Sequence, residues 1–495
     1  MGTQGDDALV ELGGYKPELK RSLNQFQVFA ISFAFISVAV GIFGTYDPVL
    51  QTGGPVAIWL WALVAAGQIL VALVYAQFAG RIPLSGSSYQ WASRLANPVI
   101  GLALGWLTVC YLAIAVVACD NALAKTAFMP LFNISPDERT ARVITLAVLL
   151  VQVVVVLAST RIASIINSSA VVMELVIVAA LGVALVVAVA VSGSGSFGNL
   201  VSRGVTQGSS DYFAVGGGLM DAMIMGLATL VGFDAAANLA EEAKDPYRSV
   251  PRAIVGSVVA AAALGLAFLI TLTVAIKSIP DVTLSDSPVA RIVRDQLGLT
   301  TERVFLVAIT LAFFGAGIAV MTACSRLVFA MSRDGRFPAH RLMRRVNPHT
   351  HTPIPATIVV FVVGVVLMVA LPGSALLKLI IASTILPTII YGSTIVLYLA
   401  VRKRLGRREG AFNLGRFELP IAIAALVWVG CALFVLTVPR EALVPDLIVV
   451  GLVAAGGLFL LVLLTFHREV LEMEPGEASA SGPERPAVAG SPEAG

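Results

Sequence analysis

Residues 226–252 read GLATLVGFDAAANLAEEAKDPYRSVPR. The stretch begins as an apolar helix, then sets Gly232, Phe233 and Asp234 inside a hydrophobic run. It leaves through Glu241 and Glu242 into a charged turn punctuated by Pro246 and Pro251. An ionised Asp at the centre of a bilayer costs roughly 2.5–3.5 kcal/mol on insertion scales. Gly costs about 1 kcal/mol relative to Ala in a helix interior. Their pairing predicts that the helix breaks here, with its freed backbone groups facing a cavity, the one setting at membrane depth where irregular backbone is tolerated. The alternative is a kinked helix whose Asp234 bonds a neighbour.

The whole chain fits that reading. Of 495 residues, 58% are hydrophobic and 13% charged, against about 25% charged in soluble domains; mean hydropathy is +0.90. This is the composition of an all-α integral membrane protein without a separate soluble domain. Cys110, Cys119, Cys324 and Cys431 lie in apolar runs and read as small core residues, with no disulfide or zinc spacing. His340, His349, His351 and His467 lie in loops or at a helix end, which argues against a buried histidine relay. No metal site or cofactor is expected.

A spanning helix needs about 20 apolar residues. Twelve such runs can be drawn, near 26–51, 55–80, 97–129, 140–159, 161–192, 213–240, 250–277, 303–332, 354–371, 375–401, 418–438 and 444–466. Placing the N-terminus in the cytoplasm puts 23 of the 33 Lys and Arg on the inside, so both termini are expected there. The first 25 residues, polar and without a signal-peptide core, are expected to be a cytoplasmic tail, and 469–495 a disordered one.

Span 1, FAISFAFISVAVGIFGTYDPVLQTGGP, is also interrupted by glycine, at Gly41 and Gly44. Five spans per unit make span 1 and span 6 equivalent openings of two inverted repeats, about 26–192 and 213–401, with two extra helices at 418–466. Interrupted helices in matching positions of inverted halves point to a transporter's binding site. Glycine alone is weaker evidence, since close helix packing also uses it. An interrupted helix exposes N–H groups where one half starts and C=O groups where the other ends. The half-helix after Gly41 then offers its positive end to a carboxylate, through Gly41, Ile42, Phe43 and Gly44. Carbonyls around Val231, Gly232 and Phe233 receive an ammonium, and the Phe233 ring closes over the ligand, stacks on a cation or simply packs.

Several stretches together resemble the amino acid–polyamine–organocation permeases. RIPLSGSSYQWASRLANPVIGLALGW (81–106) resembles their loop between helices 2 and 3, GFDAAANLAEEAKDPYRSVPRAI from Gly232 their helix 6 and the following loop, and TACSRLVFAMSRDGRFP (322–338) the end of their helix 8. GGP at 53–55, with Gly105, Trp106 and Asp120, leans toward the amino acid/choline branch. The resemblance spans roughly residues 20–470. It implies a five-plus-five inverted repeat, alternating access at the cell membrane, and secondary transport of amino acids or related amines, driven by a proton or Na⁺. Exchange of γ-aminobutyrate, polyamines or choline is the alternative. Many relatives carry Gly-x-Gly at the helix 1 break; here the glycines are three apart.

Glu174, 13 residues past the Arg161 corner, lies roughly 20 Å along its helix. By the resemblance it falls where some proton-coupled relatives carry a lysine, which makes it a candidate for the coupling ion; a permanently protonated Glu bonded to a carbonyl is the alternative. Asp234 is the rival coupling group. Asp120 and Asp221, near the outer ends of spans 3 and 6, are expected to line the external vestibule. Glu241 and Glu242, paired with Arg326 or Arg333, are candidates for an inner gate, although exposed pairs contribute only about 0–1 kcal/mol. A membrane enzyme needs a catalytic constellation that the chain lacks; a channel is distinguished from a carrier by counterflow.

Overall fold

The computed structural model describes residues 23–466 apart from 84–86, 136, 159, 348–349, 351, 372–375, 406–410 and 440–441. The expected C-terminal tail and residues 1–22 of the expected N-terminal one lie outside these residues. Every named element longer than a turn is helical.

Eleven helical segments among the described residues are long and apolar enough to cross a membrane, and a shorter apolar helix, Ile354–Ala370, occupies the place of the ninth expected span. Span 1 is two helices, α1 (Gln25–Ile36) and α2 (Val38–Thr52). The next are α3 (Leu60–Arg81), the amphipathic α4 (Ser87–Leu95), α5 (Pro98–Ala122), α6 (Glu138–Ala158) and α7 (Thr160–Ser192). Span 6 is again divided: its first half ends in α8 (Ile224–Thr229), and its second half is a 3₁₀ helix, Phe233–Glu242. Then come α9 (Pro246–Val274), α10 (Leu299–Arg333), α11 (Ile354–Ala370), α12 (Leu376–Val401), α13 (Glu418–Thr437) and α14 (Leu443–Phe466).

The core lies among α1, α2, α3, α5, α9, α10 and α12 and includes Val28, Tyr46, Tyr75, Phe233 and Phe313. The outward faces of α7 and α14 are apolar but exposed, with Val183, Val187, Val450 and Leu461 open. So large an apolar surface requires a non-aqueous surround, here lipid. Cys110 and Cys324 are buried as expected, whereas Cys431 is exposed on α13.

α1 is joined to the second half of span 6 at two levels. Asn24 and Gln27 form a reciprocal cap at the start of α1. Beside it, the Lys244 amide donates to the Leu23 carbonyl at 3.0 Å. Nine residues on, the Ser32 hydroxyl donates to the Phe233 carbonyl at 2.5 Å, and Ser257 of α9 donates to Ser32.

Candidate functional site

Span 6 breaks where its sequence predicts. The Leu230 amide makes the last α-helical bond, to Gly226. Gly232 then takes φ +85°, which only glycine adopts without strain. The chain resumes as a 3₁₀ helix ten residues long, well beyond the usual run for that tighter winding, a mark of a hinge or a strained sequence.

The loosened backbone is satisfied locally. The Gly232 amide donates to the Tyr391 hydroxyl of α12 at 3.0 Å. That hydroxyl in turn donates to Asp234 Oδ1 at 3.1 Å, and Ser87 of α4 reaches Asp234 Oδ2 at 3.4 Å. The Gly232 carbonyl accepts from the Ala235 amide. The Phe233 ring is fully buried, stacked on Tyr391 at 4.9 Å and edge-on to Tyr75 at 5.9 Å. In this state Phe233 therefore packs. The carbonyls expected to wait for an ammonium at Gly232 and Phe233 already accept from Ala235 and Ser32, and Val231 is 9% exposed.

Span 1 breaks at a different place from the one its glycines suggest. The interruption is at Ser37, a non-glycine residue at φ 43°, ψ 74°, a region costing an L-residue roughly 1–2 kcal/mol. Gly41, Ile42, Phe43 and Gly44 lie inside α2, and the Gly41 amide donates normally to the Ser37 carbonyl at 2.9 Å. Gly41 serves packing, since a Cβ there would stand 2.3 Å from Thr229; one on Gly44 would meet Ala122 at an ordinary 3.5 Å. Ile42 is buried, and Phe43 packs edge-on to Phe305 and Phe313. The backbone donors of this break therefore belong to the turn before Gly41, residues 38–40, which have no acceptor within the helix.

One of those donors is taken by a carboxylate from the same chain. Glu174 of α7, 5% exposed, accepts from the Ala39 amide at 2.9 Å through Oε1 and from the Ser37 hydroxyl at 2.9 Å through Oε2. The side chain singled out as a coupling candidate thus caps α2. Glu174 and Asp234 do not touch: each serves its own break, and the two breaks are neighbours. The Cβ position of Gly232 lies 3.5 Å from Phe35, two residues before Ser37. Thr229, at the end of α8 and against Gly41, is 2% exposed, and its hydroxyl has no hydrogen-bond partner among the described residues.

Asp120 does not line a vestibule. It is fully buried, with Oδ1 accepting from Gln152 Nε2 at 2.7 Å and Oδ2 unpartnered. The Gln152 amide also reaches the Phe314 carbonyl of α10, where Gly317 leaves room for it. Counting from span ends placed Asp120 at a rim because that count contains no information about α6 and α10. Asp221 is half-buried in the short helix Gly218–Asp221.

The side chains of Glu241 and Glu242 lie outside the described residues, so their pairing with Arg326 or Arg333 is not placed; Arg326 is exposed and Arg333 half-buried. Other buried polar contacts close that end of the bundle. Tyr89 of α4 donates to Asp334 Oδ2 at 2.8 Å, and Arg336, 1% exposed, reaches Ser93 at 3.5 Å. Arg81 and Glu418 pair at 2.9 Å, with Tyr398 donating to the other Glu418 oxygen. Tyr391, Ser37 and Tyr89 were not singled out in the sequence. A hydroxyl in an apolar span carries no pattern of its own, and only Ser87, Ser88 and Tyr89, in the loop that resembles the permeases, lay within a flagged motif.

The sequence has counterparts among known proteins. Residues 23–462 match the family model described as amino acid permease. Among curated relatives, the chain is 26% identical to the amino-acid permease BAT1 homolog of Oryza sativa subsp. japonica, over 93% of each chain. It is 28% identical to the amino-acid permease BAT1 of Arabidopsis thaliana, over 86% of each. It is 27% identical to the GABA-specific permease of Saccharomyces cerevisiae, over 86% of this chain and 76% of that one. The chain belongs to the amino acid permease family, and is a membrane transporter, not an enzyme.

Proposed function

We propose that the protein is a secondary active carrier that moves amino acids or related amines across the cell membrane by alternating access, with both termini cytoplasmic. Its two inverted units are about 26–192 and 213–401, and the substrate binds between the breaks at Ser37 and Gly232. The observation that carries this reading is the meeting of the two breaks, with the α2 amide end of one held by a buried titratable side chain. A carboxylate suits the α2 end through the amides of residues 38–40 and the Ser37 hydroxyl. The ammonium lies toward Val231 and Asp234, once Phe233 and its carbonyl partners are displaced. The relatives support an amino-acid substrate, and the yeast permease named for GABA makes γ-aminobutyrate the first to try; polyamine and choline-like exchange is the alternative.

Glu174 is the coupling group in this reading, because among the described residues it alone joins a titratable carboxylate to the donors of the span 1 break. Asp234 braces the span 6 break through neutral partners and is the rival. At the inner end, α4 carries Ser87 to Asp234 and Tyr89 to Asp334, so its movement opens the site and the Tyr89–Asp334 contact together. Glu241 or Glu242 with Arg326 or Arg333 remain further gate positions.

The test is uptake into proteoliposomes under an imposed pH or Na⁺ gradient, with counterflow measured alongside. Wild type should accumulate substrate against its gradient and show saturable trans-stimulation. Glu174→Gln should lose gradient-driven accumulation and keep exchange. Linear, unsaturable flux would make the protein a channel, and undiminished uphill uptake by the variant would remove Glu174 from coupling.

A further inference from the structure

We infer that Glu174 is a built-in stand-in for the substrate's carboxylate: the two compete for the Ser37 hydroxyl and the Ala39 amide, and protonation of Glu174 admits the substrate. The inference rests on the binding site proposed above and adds the order of events and the substrate class.

Both carboxyl oxygens of Glu174 are committed to this end of α2. α2 is 15 residues long, and of its first-turn amides, which lack acceptors within the helix, that of Ala39 donates to Glu174. A second polar group waits at the same turn: the Thr229 hydroxyl, buried against Gly41 without a partner. Hydrogen bonds to an ionised acceptor are about twice as strong as those between neutral groups. Ionised Glu174 therefore holds the donors firmly and also repels a second carboxylate. A proton taken from water onto one Glu174 oxygen removes the charge, weakens both bonds and leaves the positive end of α2 without its anion. A substrate carboxylate then replaces it. Substrates without a carboxylate gain nothing from that exchange, so the site selects amino acids over simple amines.

Among the elements around Glu174, α5 supplies a competing carboxyl group, the fully buried Asp120; the others supply little. Cys119 of α5 lies within reach of its field, next to Asp120. α10 faces α7 with Gly315 against Ala170 and carries no charged residue between Arg303 and Arg326. α9 has none beyond Arg252, and α6 none beyond Arg142. α1 has none, and α2 carries Tyr46 and Asp47 near its far end. On the helix Pro288–Leu297, Arg291 pairs with Asp295 and Arg294 lies 3.7 Å from Glu302. Asp234 is held at the other break.

The experiment is titration calorimetry on the purified full-length protein, in pairs of buffers with different ionisation enthalpies, which counts protons taken up per ligand bound. The probes are γ-aminobutyrate, L-alanine, L-glutamate and L-arginine. Where Glu174 is ionised, each bound amino acid should take up about one proton, and its apparent affinity should fall about tenfold per pH unit, because the two ligands share one coupling free energy. At lower pH, with Glu174 already protonated, uptake should vanish and affinity should level off. Glu174→Gln should bind with no proton uptake and flat pH dependence. Binding to wild type without proton uptake at any pH, or equal uptake by the variant, would overturn the competition and leave the transport reading standing; the wild-type count decides this even if the variant does not fold. Failure of all four probes to bind would overturn the amino-acid site itself, and the competition with it.

Discussion

The two breaks solve one problem by different chemistry. At Gly232 the loose amide goes to a tyrosine hydroxyl, and the nearby carboxylate, Asp234, is held by Tyr391 and Ser87. At Ser37 the donors go straight to a carboxylate, Glu174, on another helix. The first arrangement is a brace, because a tyrosine hydroxyl keeps its bonding capacity across the working pH range. In the reading proposed above the second is a switch, since one proton changes the strength of both of its bonds. On that proposal a hydrogen-bonded break is not by itself a coupling site; what distinguishes the span 1 break is that its backbone donor goes directly to an ionisable group.

The strongest challenge to that contrast is steric. Gly41→Val puts a branched side chain where even a Cβ would lie 2.3 Å from Thr229, at the point where α2 meets α8. Overpacking of this kind costs about 1–3 kcal/mol or more. Uptake should be lost and the melting temperature should fall; an unchanged melting temperature would show that the contact is looser than described. Tyr391→Phe comes next. It removes a hydroxyl serving two buried groups, and leaving a buried polar group unpaired costs about 1–3 kcal/mol. Thermal unfolding should shift down, while proton uptake per substrate stays as in wild type. Asp234→Asn sharpens the comparison, because it keeps the shape and removes the charge. Uptake should slow and its pH dependence persist, whereas Glu174→Gln should flatten that dependence. If the two results were exchanged, Asp234 would be the switch. Ser37→Ala should have the smallest effect on uptake: the Ala39 amide keeps its bond to Glu174, and the lost bond is worth about 1.5–3 kcal/mol only while Glu174 is ionised. Weaker support for ionised Glu174 raises its proton affinity, so the fall in substrate affinity should begin at higher pH.

These contrasts also explain which parts of the site could be read in the sequence. The spans were legible because lipid demands long apolar runs, and the span 6 break was legible because Gly232 and Asp234 are costly together in such a run. The span 1 break was not. Gly41 and Gly44 looked like the interruption, yet both lie inside α2, and Gly41 is glycine because Thr229 comes close. Ser37 breaks the helix with an ordinary side chain, held open by bonds to a residue 137 positions away. Glu174 was visible as a charge at depth, but its partners were not. Tyr391 and Gln152 act only through neighbours from other spans, so no local pattern announces them.

The most direct measurement is an experimental structure of the protein with an amino acid bound at acidic pH. The account predicts the substrate carboxylate on the Ala39 amide and the Ser37 hydroxyl, with Glu174 turned away from both. A bound substrate whose carboxylate lies elsewhere, while Glu174 still caps α2, would contradict it.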